Sequence, residues 1–296
     1  MTREPTFLFC VGATKAGTSW LHDHLSGHDE CYFRTIKELH YFGLSGPADV
    51  EAAVRKTTKE IARISDLPEK TDGHKAMKAR KLADLRAWLQ VLAAPPADLA
   101  AYRDYLTDGM AGAKVVGDVT PGYALLPEDR LKAMASVARD VRIIYLLRDP
   151  LARLWSHVRM VVSGVAPDRF KPEAVALLEL IISGGKSAAA NSIVARGDYA
   201  SILPKLTKVF DPKRLMIMFY EDLFSLDGIE KLSNFIGIKP RQVDLNKRVH
   251  QGEPLALPPA LRDRALAFLR PQYDYIAATV GGMPKSWQHN MKEGIA

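Results

Sequence analysis

Five short runs of apolar and β-branched residues punctuate the chain, at 6–11, 31–34, 114–117, 141–147 and 214–220. Between them lie longer stretches whose apolar residues recur at helical spacing, over 18–27, 81–93, 98–108, 127–138, 151–163, 199–210 and 259–280. The run 141–147 is almost wholly apolar or β-branched, as a strand covered on both faces must be, and 215–219 reads the same way. Strands alternating with helices predict a central parallel sheet of about five strands with helices on both faces, a three-layer α/β fold. Asp149-Pro150 has the form of a helix cap followed by proline at the first helical position, and Asp211-Pro212 predicts the end of another helix. The polar, helix-prone stretch 48–113, broken at Asp72-Gly73, falls between the second and third strands. It is expected to be a helical insertion over the strand ends, a candidate acceptor-binding lid, within a single domain spanning 1–296.

The first apolar run ends at Gly12, and a second glycine, Gly17, opens a helical pattern. Strand, glycine-bounded loop and helix build an anion site, because loop N–H groups and the positive end of the helix dipole converge on one point. Gly12-x4-Gly17-Thr18-Ser19 is close to the nucleotide P-loop G-x-x-x-x-G-K-[ST], so the fold is expected to be P-loop-like. The lysine that should follow the second glycine is replaced by Thr18, and Lys15 sits inside the loop instead. A bare strand-to-helix turn needs one capping residue and no lysine. Lys15, Gly17, Thr18 and Ser19 together point to a phosphate-like ligand.

Composition narrows the reading without redirecting it. The chain has 296 residues, 47% hydrophobic and 25% charged, with a net charge of +7 that suits an anionic ligand. The basic residues are dispersed, with no arm of the kind that binds nucleic acid. Cys10 and Cys31 suggest neither a disulfide framework nor a metal cluster and are expected to be buried thiols. With no signal-peptide pattern and no apolar stretch near the ~20 residues that span a bilayer, a cytoplasmic protein is expected.

Two further segments carry chemistry. Arg148 ends the fourth apolar run, at the carboxyl edge of the sheet where α/β ligands bind, and its guanidinium suits phosphate. Ser156 follows one to two turns into the next helix, facing the same region. After the second run, an extended Lys37–Phe42 segment would point Glu38, His40 and Phe42 to one side, placing a carboxylate beside an imidazole. Either can serve as general base with the other tuning it.

Taken together, these motifs resemble the sulfotransferases that use 3′-phosphoadenosine 5′-phosphosulfate (PAPS), in the branch that holds the heparan sulfate sulfotransferases and many bacterial relatives. The loop K-x-G-T-[ST] is matched by Lys15, Gly17, Thr18 and Ser19. The resemblance implies that Thr14, Lys15, Ala16, Gly17, Thr18 and Ser19 cradle the 5′-phosphosulfate. The family's 3′-phosphate-binding arginine and serine fall on Arg148 and Ser156, and its K-E-x-H-[FY]-F segment puts the base on Glu38, with His40 beside it. Gly117-Asp-Val-Thr-Pro-Gly-Tyr123 is similar to the family's G-E-x-[ST]-P-x-Y, and Arg196-Gly-Asp-Tyr199 to a later segment that adds Tyr199 to the cofactor site. Lys247-Arg248-Val-His250, before a C-terminal helical stretch ending near Trp287, resembles the loop that closes on the cofactor, without the family's glycine between lysine and arginine. Where some polysaccharide-modifying members carry a lysine before T-P, this chain has Val119, which argues against a heparan-like acceptor.

The implied reaction moves a sulfuryl group from PAPS to a hydroxyl or amine on a small molecule, lipid or carbohydrate, with no metal. Lys15 would stabilise the leaving phosphate and Glu38 would take the acceptor's proton. A kinase holding several phosphates and Mg²⁺ is the rival enzyme, with Asp149 as its metal-binding carboxylate and Thr18 counting against it. A non-catalytic protein binding nucleic acid or anionic surfaces is the rival outside enzymology.

Overall fold

The computed structural model describes residues 4–69, 71–95, 98–241 and 255–293. Among them β1 (Thr6–Gly12), β2 (Cys31–Phe33), β3 (Val115–Val119), β4 (Val141–Leu147) and β5 (Leu215–Phe219) form one sheet in the order β2-β3-β1-β4-β5. All four pairings are parallel, and each expected run lies in a strand. β1 and β4 are buried along nearly their whole length, which is why they read as continuous apolar runs. β3 runs two residues past its expected end. Asp118 looks like a strand terminator in sequence, yet its buried carboxylate is satisfied by the hydroxyls of Thr120, Tyr123 and Tyr102, so the strand continues.

From β1 the chain crosses to β2 on one side of the sheet, and from β4 it passes to β5 on the other. The carboxyl ends of β1 and β4 therefore flank a crevice, the place where doubly wound sheets take ligands. The two edges are tied together there, because the Ala13 N–H donates to the Leu146 carbonyl at 2.9 Å.

Around the sheet lie α1 (Thr18–Ser26), α2 (Pro47–Ser65), α3 (Asp72–Ala93), α4 (Leu99–Thr107), α5 (Glu128–Ala135), α6 (Pro150–Val161) and α7 (Pro167–Ile182). They are followed by α8 (Ala188–Ala195), α9 (Tyr199–Val209), α10 (Leu226–Ile236), α11 (Pro259–Thr279) and α12 (Lys285–Glu293). Asp149 caps α6 as expected, accepting from the Ala152 N–H at 2.8 Å. Asp72-Gly73 does not interrupt a helix but opens one, because Thr71 caps α3 by accepting from the His74 N–H at 3.2 Å. Asp211 lies just beyond α9 and caps a separate 3-10 turn at Pro212–Arg214. Cys10 and Cys31 are unpaired and buried, and burial pushes both thiols up to about 12. No helix among the described residues is long and apolar enough to cross a membrane.

The 48–113 stretch folds as α2, α3 and α4, and its inner face joins the main core through Trp88, Tyr102, Tyr105 and Leu106. Arg34, at the end of β2, locks it in place. Its guanidinium donates to Asp84 at 2.9 Å, to the Tyr105 carbonyl at 2.6 Å and to Asp108 at 3.1 Å. Asp84 also accepts from the Thr35 N–H and hydroxyl, so both partners are buried with their polar atoms satisfied. Removing one member strands the other's charge in the core. Asp84→Ala is expected to lower the unfolding free energy by about 3–5 kcal/mol in urea titrations, far more than an exposed ion pair contributes.

Candidate active site

The loop between β1 and α1 has the geometry of an anion cradle. Gly17 takes the cap position of α1 at φ 87, and no side chain caps the helix. The first-turn N–H groups are therefore left for a ligand, and neither Thr18 nor Ser19 acts as the cap that a plain turn would use. A Cβ on Gly17 would come within 2.9 Å of both Leu223 and Tyr220, so glycine is required there by shape as well as by φ. The Ala16 N–H is used within the loop, donating to the Ala13 carbonyl at 3.1 Å. The Thr14 hydroxyl accepts from Arg196 at 3.4 Å.

Lys15 also has a left-handed backbone, at φ 71. Burial lowers the pKa of its ammonium, and the neighbouring Arg148, Arg159 and Lys37 lower it further, with Glu38 opposing them. Arg148 reaches across from the end of β4. Its guanidinium donates to the Lys15 carbonyl at 2.8 Å and lies over the Tyr220 ring at 4.9 Å. Among the described residues, neither Lys15 nor Arg148 pairs with a carboxylate. Like charges gathered without a counter-ion fit an anion carrying several negative charges.

Ser156 is half-buried in the second turn of α6, and Arg159 follows on the same helix face. Arg159 gave no signal in the sequence beyond its spacing from Ser156. Tyr199 has no exposed surface, so it does not line the site. Its hydroxyl is spent on the Arg148 backbone, donating to the carbonyl at 2.7 Å and accepting from the N–H at 3.2 Å. It positions Arg148 rather than meeting a ligand. Lys247 and Arg248, with His250, lie outside the described residues. Asp149, the kinase reading's metal ligand, is committed elsewhere: besides capping α6 it accepts from Tyr273 at 2.8 Å and from Asn290 at 3.0 Å.

The segment carrying Glu38 and His40 is not the extended strand expected. Both residues have left-handed backbones, at φ 66 and φ 58. Of the four non-glycine residues with positive φ among the described residues, three are Lys15, Glu38 and His40, which concentrates backbone strain at this site. The turn still brings the two side chains together, with His40 Nε2 3.6 Å from Glu38 Oε2 and Lys37 Nζ 2.5 Å from Oε1. Burial alone would raise the Glu38 pKa, but hydrogen bonding from His40 and the charge of Lys37 prevail and hold it at about 2. Phe42 does not share the face of Glu38 and His40. It is buried among aromatic rings, edge-on to Phe9 at 5.8 Å and to Tyr102 at 5.4 Å, while Tyr41 stacks on Tyr102 at 4.3 Å. The helical insertion thus buttresses the Glu38–His40 turn from behind.

Asp118 fastens the other side of that turn. Its carboxylate accepts from Thr120 and Tyr123 at 2.7 Å, from Tyr102 at 3.0 Å and from the Leu39 N–H at 3.4 Å. Burial raises its pKa in spite of these donors. The motif Gly117–Tyr123 was visible in sequence, but its link to Leu39 spans 79 positions and carries no local signature.

The sulfotransferase family profile matches residues 5–239, and the chain belongs to that family. The match runs through the helical insertion. A crystal structure of a sulfotransferase from Alicyclobacillus acidocaldarius superposes with a TM-score of 0.59 at 23% identity, over 97% of this chain and 99% of that one, and shows the same fold. The sulfotransferase domain of the curacin biosynthetic pathway aligns at 18% identity over 82% of this chain and 80% of its own, with a TM-score of 0.46. The sulfotransferase domain of the Synechococcus PCC 7002 olefin synthase aligns at 18% identity over 99% of this chain and 95% of its own, with a TM-score of 0.47. No curated protein matches the chain at a significant level.

In Asp118→Asn the new amide faces hydroxyl and N–H groups that all need an acceptor. The variant is expected to lose about 1–3 kcal/mol of stability. Turnover should fall further than affinity for adenosine 3′,5′-bisphosphate, because the Glu38–His40 turn loosens while the loop stays intact. Calorimetric titration beside initial rates separates the two effects.

Proposed function

We propose that the protein transfers a sulfuryl group from PAPS to an acceptor hydroxyl or amine. The observation that carries this reading is the unpaired cation cluster of Lys15 and Arg148 at an uncapped helix start, facing a carboxylate held ionised by Lys37 and His40. PAPS when bound supplies an activated sulfuryl group on a phosphate leaving group. Thr14, Lys15, Ala16, Gly17, Thr18 and Ser19 form the cradle for the 5′-phosphosulfate, and Lys15 with the α1 N–H groups stabilises charge gathering on the departing phosphate. Arg148, braced by Tyr199 and Tyr220, and Ser156 take the 3′-phosphate. Glu38 accepts the acceptor's proton, with His40 and Lys37 holding its carboxylate in position. An acceptor of small-molecule, lipid or carbohydrate class and a cytoplasmic setting complete the reading.

The test uses radiolabelled PAPS and a metabolite extract, with the labelled product identified by mass spectrometry. Glu38→Gln is expected to cut turnover at least about a hundredfold, within the range that general-base catalysis contributes, while affinity for adenosine 3′,5′-bisphosphate is kept. The pH profile gives an independent check. A carboxylate held at about 2 is already ionised throughout the working range, so kcat/KM should show no acid limb near the usual carboxylate value of about 4.3. An acid limb in the ordinary imidazole range together with near-normal Glu38→Gln turnover would move the base to His40. Label that remains on PAPS, with no transfer to any component, would overturn the activity.

A further inference from the structure

A third guanidinium stands beside the cradle. Arg196, at the end of α8, donates from Nε to Ser192 at 3.2 Å and from one terminal nitrogen to Thr14 at 3.4 Å. That nitrogen and the His40 ring flank the same empty spot above Gly122. A Cβ placed there would lie 3.3 Å from Arg196 and 3.5 Å from His40 Cε1. The absent side chain at Gly122 is what lets the guanidinium stand beside the proposed base. Arg196 is half-buried, and among the described residues it pairs with no carboxylate. Its other terminal nitrogen has no hydrogen-bond partner among the described residues.

We propose that Arg196 is a specificity-determining residue that binds an oxyanion of the acceptor, a carboxylate or phosphate carried close to the hydroxyl that receives the sulfuryl group. The inference rests on the sulfotransfer reading and adds the acceptor's chemical class. A guanidinium already oriented by Ser192 and Thr14 presents its free edge as a planar fork, the shape that matches a carboxylate or phosphate. Its charge complements the acceptor rather than the base, because Lys37 already neutralises Glu38. A neutral acceptor would leave this cation half-buried and without a counter-ion, which makes rejection of neutral compounds as much a part of the site as attraction of anionic ones.

The experiment is calorimetric titration of the protein saturated with adenosine 3′,5′-bisphosphate. The probes are matched pairs: glucuronate and methyl glucoside, 4-hydroxyphenylacetate and 4-ethylphenol, glycerol 3-phosphate and glycerol. At least one anionic probe is expected to bind about tenfold or more tightly than its neutral partner, the scale of one charge-assisted hydrogen-bond pair. Arg196→Gln should erase that preference, Arg196→Lys should keep part of it, and the bisphosphate affinity should fall by no more than about threefold, because the guanidinium's one contact with the cradle is the long 3.4 Å hydrogen bond to Thr14. Equal binding of both members of every pair, or a preference that survives Arg196→Gln, overturns the proposal. A large loss of bisphosphate affinity in Arg196→Gln also overturns it and places the guanidinium on the donor. Failure of the parent protein to bind the bisphosphate at all contradicts the sulfotransfer reading itself, and that result is seen before any probe is added.

Discussion

The structure turns on holding Lys15 and Arg148 together with no carboxylate paired to either among the described residues. Lys15 and Arg148 come from loops that follow different strands, and Arg148 is fixed to the Lys15 carbonyl so that the two cannot separate. Burial first, and then the neighbouring charges of Arg148 and Arg159, lower the pKa of Lys15. Such an arrangement is unfavourable by itself and persists because the surrounding fold over-determines it. The β1 and β4 ends are bonded to each other, Tyr199 holds the Arg148 backbone at both polar atoms, and the Tyr220 ring supports its guanidinium. An incoming polyanion relieves the repulsion, and the same preorganisation then stabilises charge that develops during transfer.

The proposed base is built by a parallel device of opposite sign. Glu38 and His40 sit on a strained turn that has no regular secondary structure to hold it. Asp118 grips the turn through the Leu39 N–H, and the aromatic cluster of Phe42, Tyr41 and Tyr102 packs behind it. Tyr102 belongs to both supports, since its hydroxyl reaches Asp118 while its ring stacks on Tyr41. The helical insertion, which sequence alone suggested as a lid, is thereby part of the scaffold under the catalytic turn.

β1 and β4 were legible because burial on both faces leaves a local record, an apolar run of strand length, whereas β5 is an edge strand whose first three residues are only partly buried although its sequence is as apolar. The cradle was legible because a glycine-bounded loop must keep its residues in fixed order. α2 falls in the stretch expected to be helical, whereas α7, α8 and α10 were not anticipated. What the sequence did not show is the task of three residues that lie within its motifs. Asp118 acts on Leu39, Tyr199 on Arg148 and Arg196 on Thr14, each contact spanning a long sequence separation that leaves no local signature. Tyr199 was found for the family motif it sits in, yet its task is to brace Arg148, which only the fold reveals. The extended geometry expected for Glu38–Phe42 failed because Phe42 gains more from the aromatic core than from the face of its neighbours.

The central claim is that Arg148 and the loop form one site for a nucleotide phosphorylated at both the 3′ and 5′ positions. Its most direct measurement compares the calorimetric affinities of adenosine 3′,5′-bisphosphate, AMP and Mg-ATP for the parent protein and for Arg148→Ala. The account predicts that the bisphosphate binds the parent at least about a hundredfold more tightly than AMP, as bidentate charge-assisted contacts to one extra phosphate allow, and that Arg148→Ala closes most of that gap with little effect on AMP. Equal affinity of the parent for the bisphosphate and AMP, or tighter binding of Mg-ATP than of either, would contradict it.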